Sequence, residues 1–212
     1  MTGKFFVLEG IECSGKTTLF KNLHGTLKNE KVYFISETAE RFSKLFPDIY
    51  NNKEEMEIAY LIDNTMTINK VSSLIEKDVN VIMDRSWVSQ PVYIRIRKEL
   101  NSNYDFDIKM FYTHEKILRR IFPEVYNNTV VVYLDVDIHT VIQRLKNDKA
   151  HHRADEFSIQ WAKKAKDYYA TRLKEISDMG VQVEYIDANK SVTKMLNLFL
   201  DIYRRYLRMV IK

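Results

Sequence analysis

The strongest chemical signal in the sequence is the run Gly10-Ile11-Glu12-Cys13-Ser14-Gly15-Lys16-Thr17, which matches the pattern G-x-x-x-x-G-K-[ST]. Gly10 and Gly15 let the backbone wrap closely around phosphate oxygens, so that successive N–H groups face a phosphate. Lys16 adds a positive charge for the β- and γ-phosphates, and Thr17 offers a hydroxyl to Mg²⁺. The run predicts a loop that binds a nucleoside triphosphate. Its expected nucleotide-binding residues are Gly10, Ser14, Gly15, Lys16, Thr17 and Thr18.

A carboxylate at the end of a later apolar run is a second candidate for phosphate chemistry. Residues 79–83 are mostly apolar and are followed by Asp84. Open α/β sheets place ligand-binding groups at the carboxyl ends of their strands. We expect Asp84 either to hold Mg²⁺ together with Thr17 or to accept a proton from an acceptor; a solvated turn aspartate is the alternative.

Five short apolar runs, rich in β-branched and aromatic residues, must position these groups. They are nearly continuous rather than alternating, which is typical of strands buried on both faces of a parallel sheet. Segments with helical spacing separate them, and this order favours right-handed crossovers. The predicted fold class is α/β, with a five-stranded parallel sheet and helices on both faces. The predicted strands are Phe5 to Glu9, Val32 to Ser36, Val79 to Met83, Val130 to Asp135 and Val181 to Ile186.

The second half of the chain is harder to interpret. A helix such as His114 to Ile121 is predicted between asparagine-containing turns, but the role of residues 95–129 stays open. The stretch Val192 to Met209 carries its apolar residues on one helical face, so it predicts an amphipathic closing helix.

Length and composition limit the classes of protein. The 212 residues fit one domain over 1–212, and 33 Lys and Arg against 29 Asp and Glu leave only a mild positive charge. Because the cations are scattered, we expect no nucleic-acid partner. The single cysteine, Cys13, indicates a reducing compartment, and no signal peptide or membrane span is evident, so we expect a cytoplasmic location and no membrane partner.

The phosphate loop resembles that of thymidylate kinases, with deoxynucleoside kinases as cousins. Thymidylate kinases carry an acid where Glu12 stands, and the resemblance implies that Glu12 lies near the sugar 3′-hydroxyl of the acceptor. The triplet Asp84-Arg85-Ser86 resembles the family's Asp-Arg-Tyr, with Ser89 and Tyr93 at its serine and tyrosine positions. The resemblance implies that Arg85 grips the acceptor phosphate, a task suited to a planar guanidinium.

The family resemblance also implies a small helical lid at about residues 146–156. Arg153 matches the lid arginine that neutralises charge on the transferred phosphoryl group, and it gains importance because Cys13 stands where some members carry an arginine. Arg144 is implied to stack on adenine, and Asn189 falls in the loop at the adenine edge.

Two segments depart from the family pattern on the acceptor side. The usual Arg-Glu-Pro-Gly-Gly after the second strand is replaced by Ser36-Glu37-Thr38-Ala39-Glu40, which keeps the acid. In the acceptor helix, Leu61 and Thr65 replace the stacking aromatic and an arginine. Base choice depends on such contacts, so these positions leave the base open.

The resemblance implies a P-loop NTPase fold and phosphoryl transfer from MgATP to a small nucleotide, with dTMP giving dTDP as the expected reaction. Lys16, Arg85, Arg153 and Glu12 are the expected catalytic residues, and a homodimer is a further expectation. One alternative is a deoxynucleoside kinase that phosphorylates a free 5′-hydroxyl with Glu37 or Asp84 as the general base. Another is a nucleotide-dependent switch without transferase activity.

Overall fold

The computed structural model describes residues 2–37, 52–147 and 159–208, and its centre is a sheet of five parallel strands. Each strand begins and ends within one residue of its predicted position. The spatial order, β2-β3-β1-β4-β5, places the strand before the phosphate loop in the middle of the sheet. The strands are β1 (Phe5–Glu9), β2 (Val32–Ile35), β3 (Asn80–Asp84), β4 (Thr129–Asp135) and β5 (Gln182–Asp187).

Eight helices lie in the described residues. The helix predicted at His114 starts two turns earlier, because the side chain of Asp107 caps it by accepting a hydrogen bond from Lys109 N at 2.9 Å. The helices are α1 (Lys16–Thr26), α2 (Lys53–Ile75), α3 (Gln90–Leu100), α4 (Ile108–Ile121), α5 (Pro123–Asn127), α6 (Ile138–Asn147), α7 (Ile159–Asp178) and α8 (Val192–Arg208).

The central strand is buried on both faces. Side chains of adjacent strand residues point to opposite faces, so Phe5 and Phe6 sample both sides. The Phe6 ring lies 5.8 Å from Phe199 and 5.1 Å from Tyr203 on α8, whereas the Phe5 ring lies 6.0 Å from Trp87. All five residues of β1 are buried. The prediction of an α/β fold with a covered parallel sheet is confirmed.

A buried ion pair fixes α7 against α4. Arg172 on α7 is 1% exposed and donates to Glu115 on α4 at 2.8 Å. Arg119 donates to the same carboxylate at 3.0 Å, and Arg172 also pairs with Glu175 at 3.3 Å. Because charges in a low-dielectric interior need partners, this network strongly constrains how the two helices pack.

All five strands run in one direction, so their carboxyl ends meet at one edge of the sheet. Leu8 of β1 is in register with Asp84 of β3, which brings the phosphate loop and the end of β3 side by side. Glu37 follows β2 at the same edge. None of the helices in the three described ranges is long and apolar enough to cross a membrane.

Candidate active site

The phosphate loop occupies the turn between β1 and α1. Gly10 has φ 149° and Gly15 has φ 95°, values at which a side chain is strained. A Cβ atom on Gly10 would meet Ser14 Oγ at 2.8 Å and the carbonyl oxygen of Leu134 at 2.9 Å. Cys13 also has a positive φ, of 56°. The glycines predicted for phosphate contact are therefore required by the shape of this turn.

Lys16 lies inside the loop it was predicted to serve. Its ammonium donates to the carbonyl oxygens of Gly10 and Ile11, each at 2.8 Å, and to Ser14 Oγ at 3.3 Å. Burial, followed by repulsion from Arg85, lowers the pKa of Lys16 to about 8. The charge is held at the loop by short contacts, where it can interact with phosphate oxygens.

Thr17 and Asp84 form an oxygen-rich pair suited to Mg²⁺. The Thr17 hydroxyl donates to Asp84 Oδ2 at 2.9 Å. The other carboxylate oxygen of Asp84 is buried and has no hydrogen-bond partner among the described residues. Burial raises the pKa of Asp84, while Lys16 opposes the shift. Hydroxyl and carboxylate oxygens are ligands that Mg²⁺ prefers, so these residues fit the ion. Thr18, one residue on, is exposed at the start of α1.

Arg85 is the centre of the acceptor side. Its backbone has φ 62°, rare for a residue with a side chain, and its N–H donates to the carbonyl oxygen of Leu8 at 3.0 Å. The guanidinium contacts Glu12 and Glu37, each at 3.2 Å, and donates to the Tyr93 hydroxyl at 2.7 Å. The structure thus brings four of the predicted site residues together.

Glu12 is ionised in this arrangement. Burial raises the pKa of its carboxyl, but Arg85 and then Lys16 outweigh that effect, so the pKa lies below its ordinary value. An ionised carboxylate is a good acceptor for a sugar hydroxyl.

Sequence reasoning missed two buried residues behind Arg85. Glu9, at the end of β1, accepts hydrogen bonds from Ser86 N at 2.8 Å and Ser86 Oγ at 2.9 Å. Tyr169 on α7 donates to the same carboxylate at 3.0 Å. Burial raises the pKa of Glu9 to about 7. The signal that could have found Glu9 is an acidic residue inside an otherwise apolar strand.

Arg144 ties the phosphate loop to the loop after β5. Its guanidinium donates to the carbonyl oxygen of Cys13 at 2.8 Å and to that of Ala188 at 2.7 Å. The adjacent Asn189 is itself fixed, since its side chain donates to Asp187 at 3.0 Å and accepts from Asp137 N at 3.1 Å. The structure places Arg144 and Asn189 on the same side of the phosphate loop, as expected for an adenine site.

The acceptor helix α2 is more divided. Leu61 is half-buried and packs against the core. Thr65 lies on the exposed face, where its hydroxyl donates to Leu61 O at 3.1 Å and contacts His114 Nε2 at 2.8 Å. The structure therefore does not bring Thr65 to Arg85. Ser89 caps the start of α3 by donating to Ser86 O at 3.0 Å.

Arg153 and most of the lid expected at about residues 146–156 lie outside the described residues, as do Thr38, Ala39 and Glu40. Only Lys146 and Asn147 of the lid range fall within them, at the end of α6.

A parallel sheet with a phosphate loop after its central strand and carboxylates at neighbouring strand ends defines the class of P-loop kinases that act on nucleosides or nucleotides. The profile of the deoxynucleoside kinase family matches residues 6–208. The chain belongs to this family.

Relatives carry names from both sides of the predicted kinship. The chain is 22% identical to a thymidylate kinase of Blochmanniella floridana over 92% of each chain. It is 27% identical to a probable thymidylate kinase of Saccharolobus solfataricus over 96% of this chain and 98% of the relative. The resemblance to thymidylate kinases is thus confirmed.

Solved structures support the fold. A deoxyadenosine kinase from M. mycoides with bound dATP superposes with a TM-score of 0.68 at 18% identity, covering 94% of this chain and 99% of the other. A thymidylate kinase from Candida albicans gives 0.71 at 14% identity, covering 96% and 92%. The chain is accordingly a nucleoside or nucleotide kinase with the P-loop kinase fold.

Proposed function

We propose that the chain transfers the γ-phosphoryl group of ATP to the 5′-phosphate of dTMP, giving dTDP. The observation that carries this proposal is the position of Arg85, whose guanidinium lies between Glu12 of the phosphate loop and Tyr93 of α3. A planar guanidinium suits bidentate binding of a phosphate, and the ionised Glu12 suits a sugar hydroxyl. The names of the thymidylate kinase relatives support the same acceptor.

The residues of the chain then act mainly by positioning. Lys16 and the loop N–H groups hold the β- and γ-phosphates, while Thr17 and Asp84 hold Mg²⁺. When bound, Mg²⁺ neutralises negative charge on the donor phosphates. Arg85 exchanges its carboxylate contacts for the acceptor phosphate and aligns it with the γ-phosphorus. We assign to Arg153 the neutralisation of charge on the phosphoryl group during transfer.

A second candidate, phosphorylation of a free 5′-hydroxyl, is favoured by Glu37. This carboxylate lies 3.2 Å from Arg85 at the sheet edge, and its side chain is 37% exposed. A hydroxyl must lose a proton during transfer and so benefits from a general base, whereas a monophosphate needs none. Glu37 is placed for that task.

The two candidates separate in an assay of ADP release with dTMP and with thymidine. We expect dTMP to be the better acceptor, and Glu37→Gln to lower turnover of dTMP by less than about 10-fold. Lys16→Ala should lower turnover by about 100-fold or more, because the phosphates lose their ammonium partner. Preference for thymidine, with a loss of about 100-fold or more in Glu37→Gln, would replace the first candidate by the second. Absence of ADP release with every nucleoside and monophosphate would favour a switch.

The expectations of one domain over 1–212, a cytoplasmic location and a homodimer stay predictions. For the homodimer we propose the outer face of α2 and α4, which are neighbours through Thr65 and His114. This face carries half of the large exposed apolar side chains in the described ranges: Ile58, Ile62, Met66, Met110, Ile117 and Ile121. A second copy would bury them. Because α4 runs beside α2 in the same direction, antiparallel pairing would also bring the acidic start of one α2 towards the basic end of the other α4.

A further inference from the structure

A relay of buried side chains connects α2 with the start of α3. The Gln90 side-chain nitrogen donates to the backbone carbonyl and to the carboxylate of Glu57, both at 3.0 Å. The Asn64 side-chain nitrogen donates in turn to Gln90 Oε1 at 3.0 Å. Glu57 is fully buried, and Gln90 and Asn64 are 6% and 5% exposed. Tyr104 and Arg97 also contact the Glu57 carboxylate, which fixes this end of the relay.

The relay allows only one orientation of each amide. A backbone carbonyl can only accept hydrogen bonds, so Gln90 must turn its nitrogen towards Glu57 and its oxygen towards Asn64. Asn64 must then turn its nitrogen towards Gln90. Its carbonyl oxygen therefore points away from the relay, and no described residue hydrogen-bonds that oxygen.

Asn64 lies where the base of an acceptor would be expected. Gln90 and Tyr93 are one turn apart on α3, and Tyr93 contacts Arg85. On α2, Asn64 is likewise one turn from Leu61. A nucleotide with its 5′-phosphate on Arg85 would extend its sugar past Tyr93 and its base towards Asn64.

We propose that Asn64 reads the acceptor base and that the relay through Gln90 and Glu57 fixes what it reads. The Asn64 oxygen accepts from the ring N3–H of thymine, and its second amide hydrogen donates to O4. Cytosine reverses both groups, because its N3 is an acceptor and its position 4 carries a donor. A locked amide cannot turn to suit cytosine, so the buried polar groups would be left unpaired. This inference rests on the proposed function and specifies the base at the same site.

The test compares kcat/KM for dTMP, dUMP and dCMP in the full chain and in three variants. In Asn64→Leu, the preference for dTMP over dCMP should fall by about 10- to 100-fold. The preference for dTMP over dUMP should not change, since both bases present the same N3–H and O4. Gln90→Leu, which frees the amide to turn, should lower the dTMP-to-dCMP ratio as well. Asn69→Leu, on the exposed face of the same helix, should leave all ratios unchanged.

The outcomes separate this inference from the proposed function. If thymidine is phosphorylated and dTMP is not, the same ratios measured with thymidine, deoxyuridine and deoxycytidine test Asn64, and a loss of discrimination supports the inference alone. An unchanged pyrimidine ratio in Asn64→Leu, or a native preference for cytosine or purine acceptors, overturns it. A fall in Asn64→Leu without any fall in Gln90→Leu overturns the role of the relay. KM for ATP should stay constant in folded variants, which thermal melting identifies.

Discussion

Replacing Glu9 with Gln should remove a pH-dependent loss of stability from this chain. Glu9 is fully buried behind Arg85, and burial raises the pKa of its carboxyl from 4.5 to about 7. Between these values the folded protein keeps a proton that the unfolded chain has released. Rising pH therefore favours unfolding over this interval. The glutamine can still accept from Ser86 and meet the Tyr169 hydroxyl, so the variant should fold.

The magnitude follows from the width of the interval. Each pH unit of it corresponds to about 1.4 kcal/mol, so the step from 4.5 to about 7 amounts to about 3 kcal/mol. About 2 kcal/mol of this falls between pH 5 and pH 7.5. The free energy of unfolding of the native chain should lose that amount over the window relative to Glu9→Gln.

Urea unfolding at several pH values in this window measures the difference, with slopes compared between the two proteins. Using the difference between proteins cancels groups that titrate in both. Parallel curves for the native chain and Glu9→Gln would show that Glu9 ionises normally. The claim that burial holds its proton would then be wrong.

Three further substitutions test separate parts of the structure. Arg144→Ala should raise KM for ATP by about 10-fold and leave KM for the acceptor unchanged, since the phosphate loop loses its tether; an unchanged KM for ATP would contradict this. Arg172→Met should lower the free energy of unfolding in urea by about 3 kcal/mol, because Glu115 stays buried with one partner fewer, whereas the exposed Arg205→Met should cost less than about 1 kcal/mol. Equal losses would refute the difference. Ile62→Glu should convert a dimer to a monomer in light scattering after gel filtration; a monomeric native chain would disprove the proposed interface.

The sheet and the phosphate loop were predictable because local patterns encode them. Continuous apolar runs fix the strands, and the glycines of the loop meet a steric requirement that Gly10 shows directly. The order of the strands was not predicted, since several orders satisfy the same burial pattern. The early start of α4 was missed because its capping Asp107 lies within a stretch that reads as a turn.

Contacts between distant residues account for what the sequence left out of the site. Tyr169 was expected only to pack α7 against the core, and it does pack there, but its hydroxyl also reaches Glu9, which lies 160 positions away. Likewise, Asn64 and Gln90 carry no motif that sets them apart from surface amides. Only their shared contact with Glu57 shows that they are fixed.

The left-handed backbone at Arg85 sets thermal robustness against turnover. Glycine adopts φ 62° without steric cost, whereas a residue with a side chain gives up about 1 kcal/mol or more there. Selection for heat resistance alone would therefore favour glycine at this position and lose the guanidinium. Any lineage that keeps the arginine must compensate for that strain elsewhere in its core.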